Sequence, residues 1–381
     1  MAKYKEEGRC KYLIAMGCLV QRYYDELIKA LPEVDLFIRI DEYNNLWEKI
    51  EDLLKRDVVV KSKNKYFEKV TDIKQLPLLD PDEFLERVVT TGKNYAYLKI
   101  GEGCSNNCTY CAIPYIRGAF KSRPFEDIVE EAKMLAKQGI QEIIVIAQDT
   151  TKYGIDLYKK ARLAELLHEI SKIEGINEEL IQEVRKNDKI AKYFDIPIQH
   201  ISNKVLKRMN RKTSKENIEK LIKNIKENIP NVVLRTSIIV GFPGETKEDF
   251  EQLLEFIEYA KFDKLGAFPY SKEEGTPAAK LPDQIHGNTK KARYNKLMQK
   301  QQQISRNNLQ KRIGKIEEVL IEDISFDNKY FIGRTMQDVP EIDGIVYIEN
   351  DKNLEAKDYL NKFIKCEITN INDYDLIAKL P

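Results

Sequence analysis

Residues 99–114, KIGEGCSNNCTYCAIP, hold three of the chain's six cysteines within eight residues. Cys104, Cys108 and Cys111 follow the spacing Cys-x3-Cys-x2-Cys. A structural zinc site takes four ligands, typically from Cys-x2-Cys pairs. No second pair exists, Cys366 stands alone far along the chain, and only three histidines are present. Pairing as a disulfide would leave one thiol over, and six cysteines are few for a scaffold of 381 residues. A four-iron cluster takes four ligands, so three cysteines would leave one iron open. Clustered, reduced thiolates predict a metal centre in a cytoplasmic protein.

The loop stands inside a strand and helix alternation. Strands are expected at 95–101, 142–147, 194–199, 232–240 and 265–270, and helices at 124–138, 161–172, 177–190, 203–208, 215–227 and 247–260. The run EIIVIA at 142–147 reads as a strand buried on both faces. Thr246 opens Thr-Lys-Glu-Asp, a capping-box pattern. This order predicts an α/β fold with a parallel, partial (β/α) barrel, whose chemistry lies at the C-terminal ends of the strands. The cysteine loop, Gln148, Gln199-His200 and Gly241-Phe242-Pro243-Gly244 all fall at such ends. One strand is missing from the repeat, because Gly175-Ile176-Asn177 runs from one expected helix straight into the next.

Around this block the chain changes character. Residues 1–60 read as a short α/β domain, with 11–20 as a buried strand and 21–31 as a helix. Residues 61–94 are polar and irregular and read as a linker, and the barrel occupies 95–286. Residues 287–315 carry nine Lys/Arg and no Asp/Glu, a solvated connecting helix. Residues 316–381 alternate in short apolar runs, predicting a small OB-like β-barrel. They hold 15 acidic and 7 basic residues against a whole-chain net charge of +1. An acidic barrel suits a basic protein partner better than phosphate-rich nucleic acid. No apolar run reaches the length of a membrane span.

Cys104-x3-Cys108-x-Tyr110-Cys111 resembles the signature of the radical S-adenosylmethionine (SAM) enzymes. CTYCAIPYIRGAFKSRP, AQDTTKYGIDLY, DIPIQHISNKVLKRMNR, RTSIIVGFPGET and FPYSKEEGTPAA resemble their methylthiotransferase branch, and GRTMQDVPEIDGIVYI its C-terminal TRAM domain. DTTKYGIDLY and PIQH resemble the members that modify an aspartate of a small-subunit ribosomal protein, while other members modify tRNA adenosine. The resemblance implies a partial TIM-like radical SAM barrel between an N-terminal methylthiotransferase domain, here truncated, and a TRAM barrel. It implies that Cys104, Cys108 and Cys111 ligate a 4Fe–4S cluster, whose open iron is chelated by SAM. The reduced cluster then generates a 5′-deoxyadenosyl radical that abstracts hydrogen from the aspartate β-carbon. Tyr110, Gln148, Gln199, Ser237 and Gly241 would line the SAM site, with His200 beside them.

The resemblance further implies a ribosomal-protein substrate, an electron donor, a sulfur donor and a second 4Fe–4S cluster. That second cluster takes three N-terminal cysteines, of which only Cys18 has a counterpart here, and Cys10 reads as an ordinary thiol. Three readings follow: a ribosomal-protein methylthiotransferase, a tRNA methylthiotransferase, or an inactive truncated remnant. The absent strand predicts either an incomplete sequence or a breached barrel.

Overall fold

The computed structural model describes residues 1–56, 88–91, 94–171, 187–350 and 354–380. Most of the expected linker and of the expected helix at 177–190 lies outside these residues, and 187–190 form a turn. Helix α1 (Ala2–Glu6) precedes strand β1 (Ile14–Met16) and helix α2 (Cys18–Ala30). Strand β2 (Leu36–Ile38) pairs in parallel with β1 and leads through a 3-10 turn into α3 (Leu46–Arg56). The expected buried strand at 11–20 is thus only three residues long. Gly17, at φ 114°, ends it, and Cys18 already opens a helix whose Leu19 is exposed.

In the central block come β3 (Tyr95–Lys99), β4 (Gly101–Glu102), α4 (Ile113–Arg117), β5 (Lys121–Ser122), α5 (Phe125–Lys137) and β6 (Glu142–Ile146). They are followed by α6 (Ile155–Tyr158), α7 (Leu163–Ser171), β7 (Tyr193–Asp195), α8 (Asn203–Arg208), α9 (Lys215–Asn228), β8 (Val233–Val240), α10 (Lys247–Ala260) and β9 (Lys264–Pro269). β3 pairs in parallel with β6, and β7, β8 and β9 form a second parallel sheet. Among the described residues no strand joins β6 to β7, and the expected interruption at Gly175-Ile176-Asn177 lies outside them.

Alternation along each strand decides which face is covered. Ala96 and Leu98 of β3 pack with Ile128, Ala132 and Leu135 of α5 and Leu163 and Leu166 of α7. Full burial of such an aliphatic side chain contributes roughly 1.5–3 kcal/mol. In β8, Leu234, Ile238 and Val240 face the cluster formed with α9 and α10, while Arg235, Ser237 and Ile239 face the half-open barrel interior. β6 departs from the expectation of burial on both faces: it is half-buried, and Ile146 is 37% exposed. The reason is that, among the described residues, it has a partner on one edge only. β7 is shorter than expected because Pro197 has no N–H to give the ladder; pairing resumes at a single bridge, Gln199 to Ile238.

The long helix α11 (Gly287–Gln310) is not the solvated connector its charge suggested. Leu297 is fully buried in the core of the second sheet, and Gln301 donates to the carbonyl of Phe262 at 2.8 Å. Beyond it, β10 (Ile316–Ile324), β11 (Tyr330–Thr335), β12 (Val346–Glu349), β13 (Phe363–Ile371) and β14 (Leu376–Lys379) close a barrel in the order β10-β11-β12-β14-β13. Only the β12–β14 pairing is parallel, and the expected small OB-like barrel forms with five strands.

Candidate functional site

The three cysteines lie on an excursion between β4 and β5, which pair as a two-residue ribbon at its base. Gly103 makes the entry possible. It stands at φ 77°, and a Cβ there would come within 2.4 Å of the Ala119 carbonyl oxygen. The Cys104 N–H donates to the Gly118 carbonyl at 3.1 Å, closing the loop on itself.

Three neighbouring segments then fix the loop. Asn106 donates to Asp149, just past β6, at 2.8 Å. Thr109 donates through its N–H to the Met209 carbonyl at 3.1 Å and through its hydroxyl to that of Arg208 at 3.0 Å, both at the end of α8. The Thr109 carbonyl accepts from the Ala278 N–H at 2.9 Å. The loop is therefore stitched to the segment after β6, to the end of α8 and to the turn at Ala278.

All three thiols are half-buried, and none of the chain's six cysteines is in a disulfide. Burial pushes the Cys104 and Cys111 thiols up, and in each case a neighbouring loop cysteine adds to the effect. The Ile113 N–H donates to the Cys111 sulfur at 3.5 Å, and the Arg211 guanidinium lies 3.9 Å from that of Cys108. Such donors stabilise sulfur carrying negative charge. Among the described residues no three His, Cys, Asp or Glu side chains converge to hold a single metal ion. A four-iron cluster does not need that convergence, because each cysteine binds a different iron. Three half-buried thiols that act on one another electrostatically, with a cationic neighbour, fit such a cluster.

Of the five expected SAM-site residues, Tyr110 lies in the loop itself and meets Phe242, the neighbour of Gly241, while Gln199 bonds Ser237. The Tyr110 ring packs edge-on against Phe242, centroids 6.4 Å apart, in the loop that follows β8. Gln199 sits in the left-handed region at φ 68°, its N–H donating to the Ser237 carbonyl at 2.9 Å and its carbonyl accepting from Ile239 at 2.8 Å. Gly241, at φ 70°, has no room for a Cβ because the Lys290 stem would lie 2.4 Å away. Gln148 is exposed just past β6.

His200 does not line an open site. It is fully buried, its Nδ1 accepts from the Ser202 N–H at 3.0 Å, and burial lowers its pKa to about 3. Cys18 does reach the site. Arg117 of α4 donates to its sulfur at 3.1 Å and to Glu102, at the foot of the cysteine loop, at 2.9 Å. Cys10 instead donates to its neighbour's carbonyl, that of Tyr12, at 3.2 Å. Cys366 lies in the core of the C-terminal barrel, its thiol pushed up to about 11 by burial.

Sequence reasoning missed the charged residues that hold this arrangement. Glu245 is buried under the Gly241-Phe242 loop and pairs with Arg293 of α11 at 2.7 Å. Arg293 was hidden in a uniformly basic run. Arg117 and Arg211 carried no signal except their nearness to motifs.

Comparison with known proteins agrees with this geometry. Residues 98–257 match the Radical SAM superfamily and residues 313–380 the TRAM domain. A protein of Alkaliphilus oremlandii named ribosomal protein uS12 methylthiotransferase RimO is 52% identical, covering 100% of this chain and 85% of its own length. The chain belongs to this family of methylthiotransferases. A relative of the same name in Clostridioides difficile is 48% identical over 99% of the chain and 84% of its own length. The solved cobalamin-dependent SAM radical enzyme OxsB is more distant, at 13% identity and a TM-score of 0.43 over 76% of this chain and 48% of its own. The match to the Alkaliphilus relative runs over 393 residues against 381 in this chain, so the family member carries residues that this chain lacks within the matched region.

Proposed function

We propose that this chain is a radical SAM methylthiotransferase that modifies the β-carbon of an aspartate in ribosomal protein uS12. The observation that carries the reading is the 52% identity, over the whole chain, to a relative that bears that activity in its name. Cys104, Cys108 and Cys111 would hold the 4Fe–4S cluster, and Tyr110, Gln148, Gln199, Ser237 and Gly241 would line the SAM site. When bound, cluster and SAM supply the one-electron chemistry that removes a hydrogen atom from an unactivated carbon.

This chain's own residues would do the positioning. Thr109, Asn106 and Gly103 set the cysteine loop, Phe242 backs Tyr110, and Gln199 presents its side chain from a constrained backbone. Cys18, joined to the loop through Arg117 and Glu102, is where the N-terminal domain meets the radical site. It would contribute to a second cluster, with an electron donor and a sulfur donor as further partners. We retain the division into 1–60, 61–94, 95–286, 287–315 and 316–381.

The tRNA reading rests on the basic stretch 287–315, and several of its cations are already engaged within the chain. Lys290 donates to the Tyr270 carbonyl at 2.8 Å, Arg293 binds Glu245, Lys300 binds Glu258 at 2.5 Å and Arg312 binds Glu317 at 2.6 Å. No helix among the described residues is long and apolar enough to cross a membrane.

The test is to incubate reconstituted protein with uS12, SAM, a reductant and sulfide, followed by peptide mass analysis. A methylthio increment on an aspartate supports the reading. Its absence, together with an increment on tRNA adenosine, overturns it.

A further inference from the structure

The turn between β11 and β12 of the C-terminal barrel reaches the opposite end of the partial barrel from the cysteine loop. Arg334, near the end of β11, and three residues of the turn each bond the first residue of a different strand. Glu341 accepts from the Tyr95 hydroxyl of β3 at 2.8 Å, and Arg334 donates to Glu142 of β6 at 2.7 Å. Asp343 accepts from the Tyr193 hydroxyl of β7 at 2.7 Å, and Asp338 from Lys264 of β9 at 2.7 Å. Two of these strands belong to one parallel sheet and two to the other.

The turn is itself braced. Arg334 also binds Glu322 and the Asp338 carbonyl, at 2.6 and 2.7 Å. Thr335 joins Asp338 at 2.6 Å and takes a bond from Arg312 at 3.0 Å. Glu341 is held in the left-handed region at φ 63°, a conformation that a non-glycine residue adopts at a cost. Arg334 and Asp338 are only 3% and 5% exposed, so their charges have left water and depend on these partners. Burial and the Glu341 bond raise the Tyr95 hydroxyl to about 12.

We propose that residues 334–343 form the floor of the partial barrel and hold in register its two sheets, which share no strand pairing among the described residues. Strand pairing between them would do this through backbone hydrogen bonds. Here Glu142 and Tyr193, the opening residues of β6 and β7, are anchored to one braced segment. The C-terminal domain is then a positioning element for the radical site, and this turn is not free to receive a substrate. Simple domain docking would also produce contacts, but it gives no reason for all four to fall on strand-opening residues of both sheets.

The experiment is hydrogen exchange on the full chain carrying Glu142→Leu with Tyr193→Phe, one anchor removed from each sheet. Amides of 142–146 and 193–195 are expected to exchange at least tenfold faster, while those of 319–321 and 366–368 in the C-terminal barrel stay at parent rates. Asp343→Ala should loosen 193–195, whereas Asp343→Asn, which keeps an acceptor for Tyr193, should restore them. Unchanged exchange at 142–146 and 193–195 in the double variant overturns the proposal. So does loosening of 193–195 in Asp343→Asn equal to that in Asp343→Ala. If the double variant does not fold, Tyr193→Phe alone decides by the same segments. The readout needs no turnover, so it stands apart from the assignment of the substrate.

Discussion

Glu245 accepts the Gly241 N–H at 2.6 Å and the Phe242 N–H at 3.2 Å through one carboxylate oxygen, while the other takes Arg293 at 2.7 Å. One buried carboxylate thus shapes the loop whose Phe242 packs on Tyr110, inside the cysteine motif. It also ties that loop to α11. Glu245→Ala should leave two backbone donors and a buried guanidinium unpaired, at a cost of about 3–5 kcal/mol. Thermal unfolding would measure this, and a loss below about 1 kcal/mol would show that water replaces the carboxylate.

Glu245 and the neighbouring buried His200 set a pH dependence. Burial raises Glu245 to about 7, so the folded chain keeps a proton that the unfolded chain has lost, and this group's contribution falls as pH rises toward that value. Burial lowers His200, 3.7 Å away, from 6.5 to about 3, so the folded chain lacks a proton and stability rises with pH up to the ordinary value. Between about pH 5 and 6.5 the two oppose one another. Glu245→Gln removes the first alone. Its thermal midpoint should therefore climb more steeply with pH over that interval than the parent's, and parallel curves would refute the assignment.

Iron content reports on the cysteines. After anaerobic reconstitution with one cluster, the parent should hold about four irons per chain. Cys104→Ala, Cys108→Ala and Cys111→Ala combined should hold none. A parent with about eight, of which about four survive the triple change and are lost with Cys18→Ala, would place a second cluster at Cys18.

Gly103→Ala should damage the loop locally. The new methyl meets the Ala119 carbonyl oxygen at 2.4 Å on a backbone at φ 77°. A cost of about 2 kcal/mol or more is expected, with reduced iron incorporation. Normal iron loading in a destabilised protein would mean that the loop relaxes without losing its ligand geometry.

Gln199 separates side chain from backbone. Its left-handed conformation costs about 1–2 kcal/mol, which Gly would relieve. Gln199→Gly should therefore unfold at a higher temperature yet bind SAM more weakly if the amide touches the ligand. Unchanged SAM affinity by calorimetry would leave Gln199 a purely structural residue.

Much of this was legible in local chemistry. The Thr246 capping box forms as written, Thr246 and Asp249 exchanging bonds at 3.2 and 2.9 Å. The short alternating runs of the C-terminal segment close into the expected barrel, because period-two burial needs only neighbouring residues to be read. The charge run of α11 misled, because composition does not say whether a lysine meets water or a carbonyl. Leu297 and Gln301, which bury that helix, were too sparse to register as a stripe.

The sequence by itself determined the cysteine spacing, the strand and helix order and the glycines at Gly103 and Gly241, since these depend on bond geometry and on residues close in the chain. Tertiary structure alone decided that Glu245 would find Arg293, 48 residues on, that Arg117 would reach Cys18, 99 residues back, and that Arg334 would meet Glu142 across 192. A surface charge and a buried, paired one are the same letter. What distinguishes them is the desolvation each suffers, which exists only once distant segments have packed together.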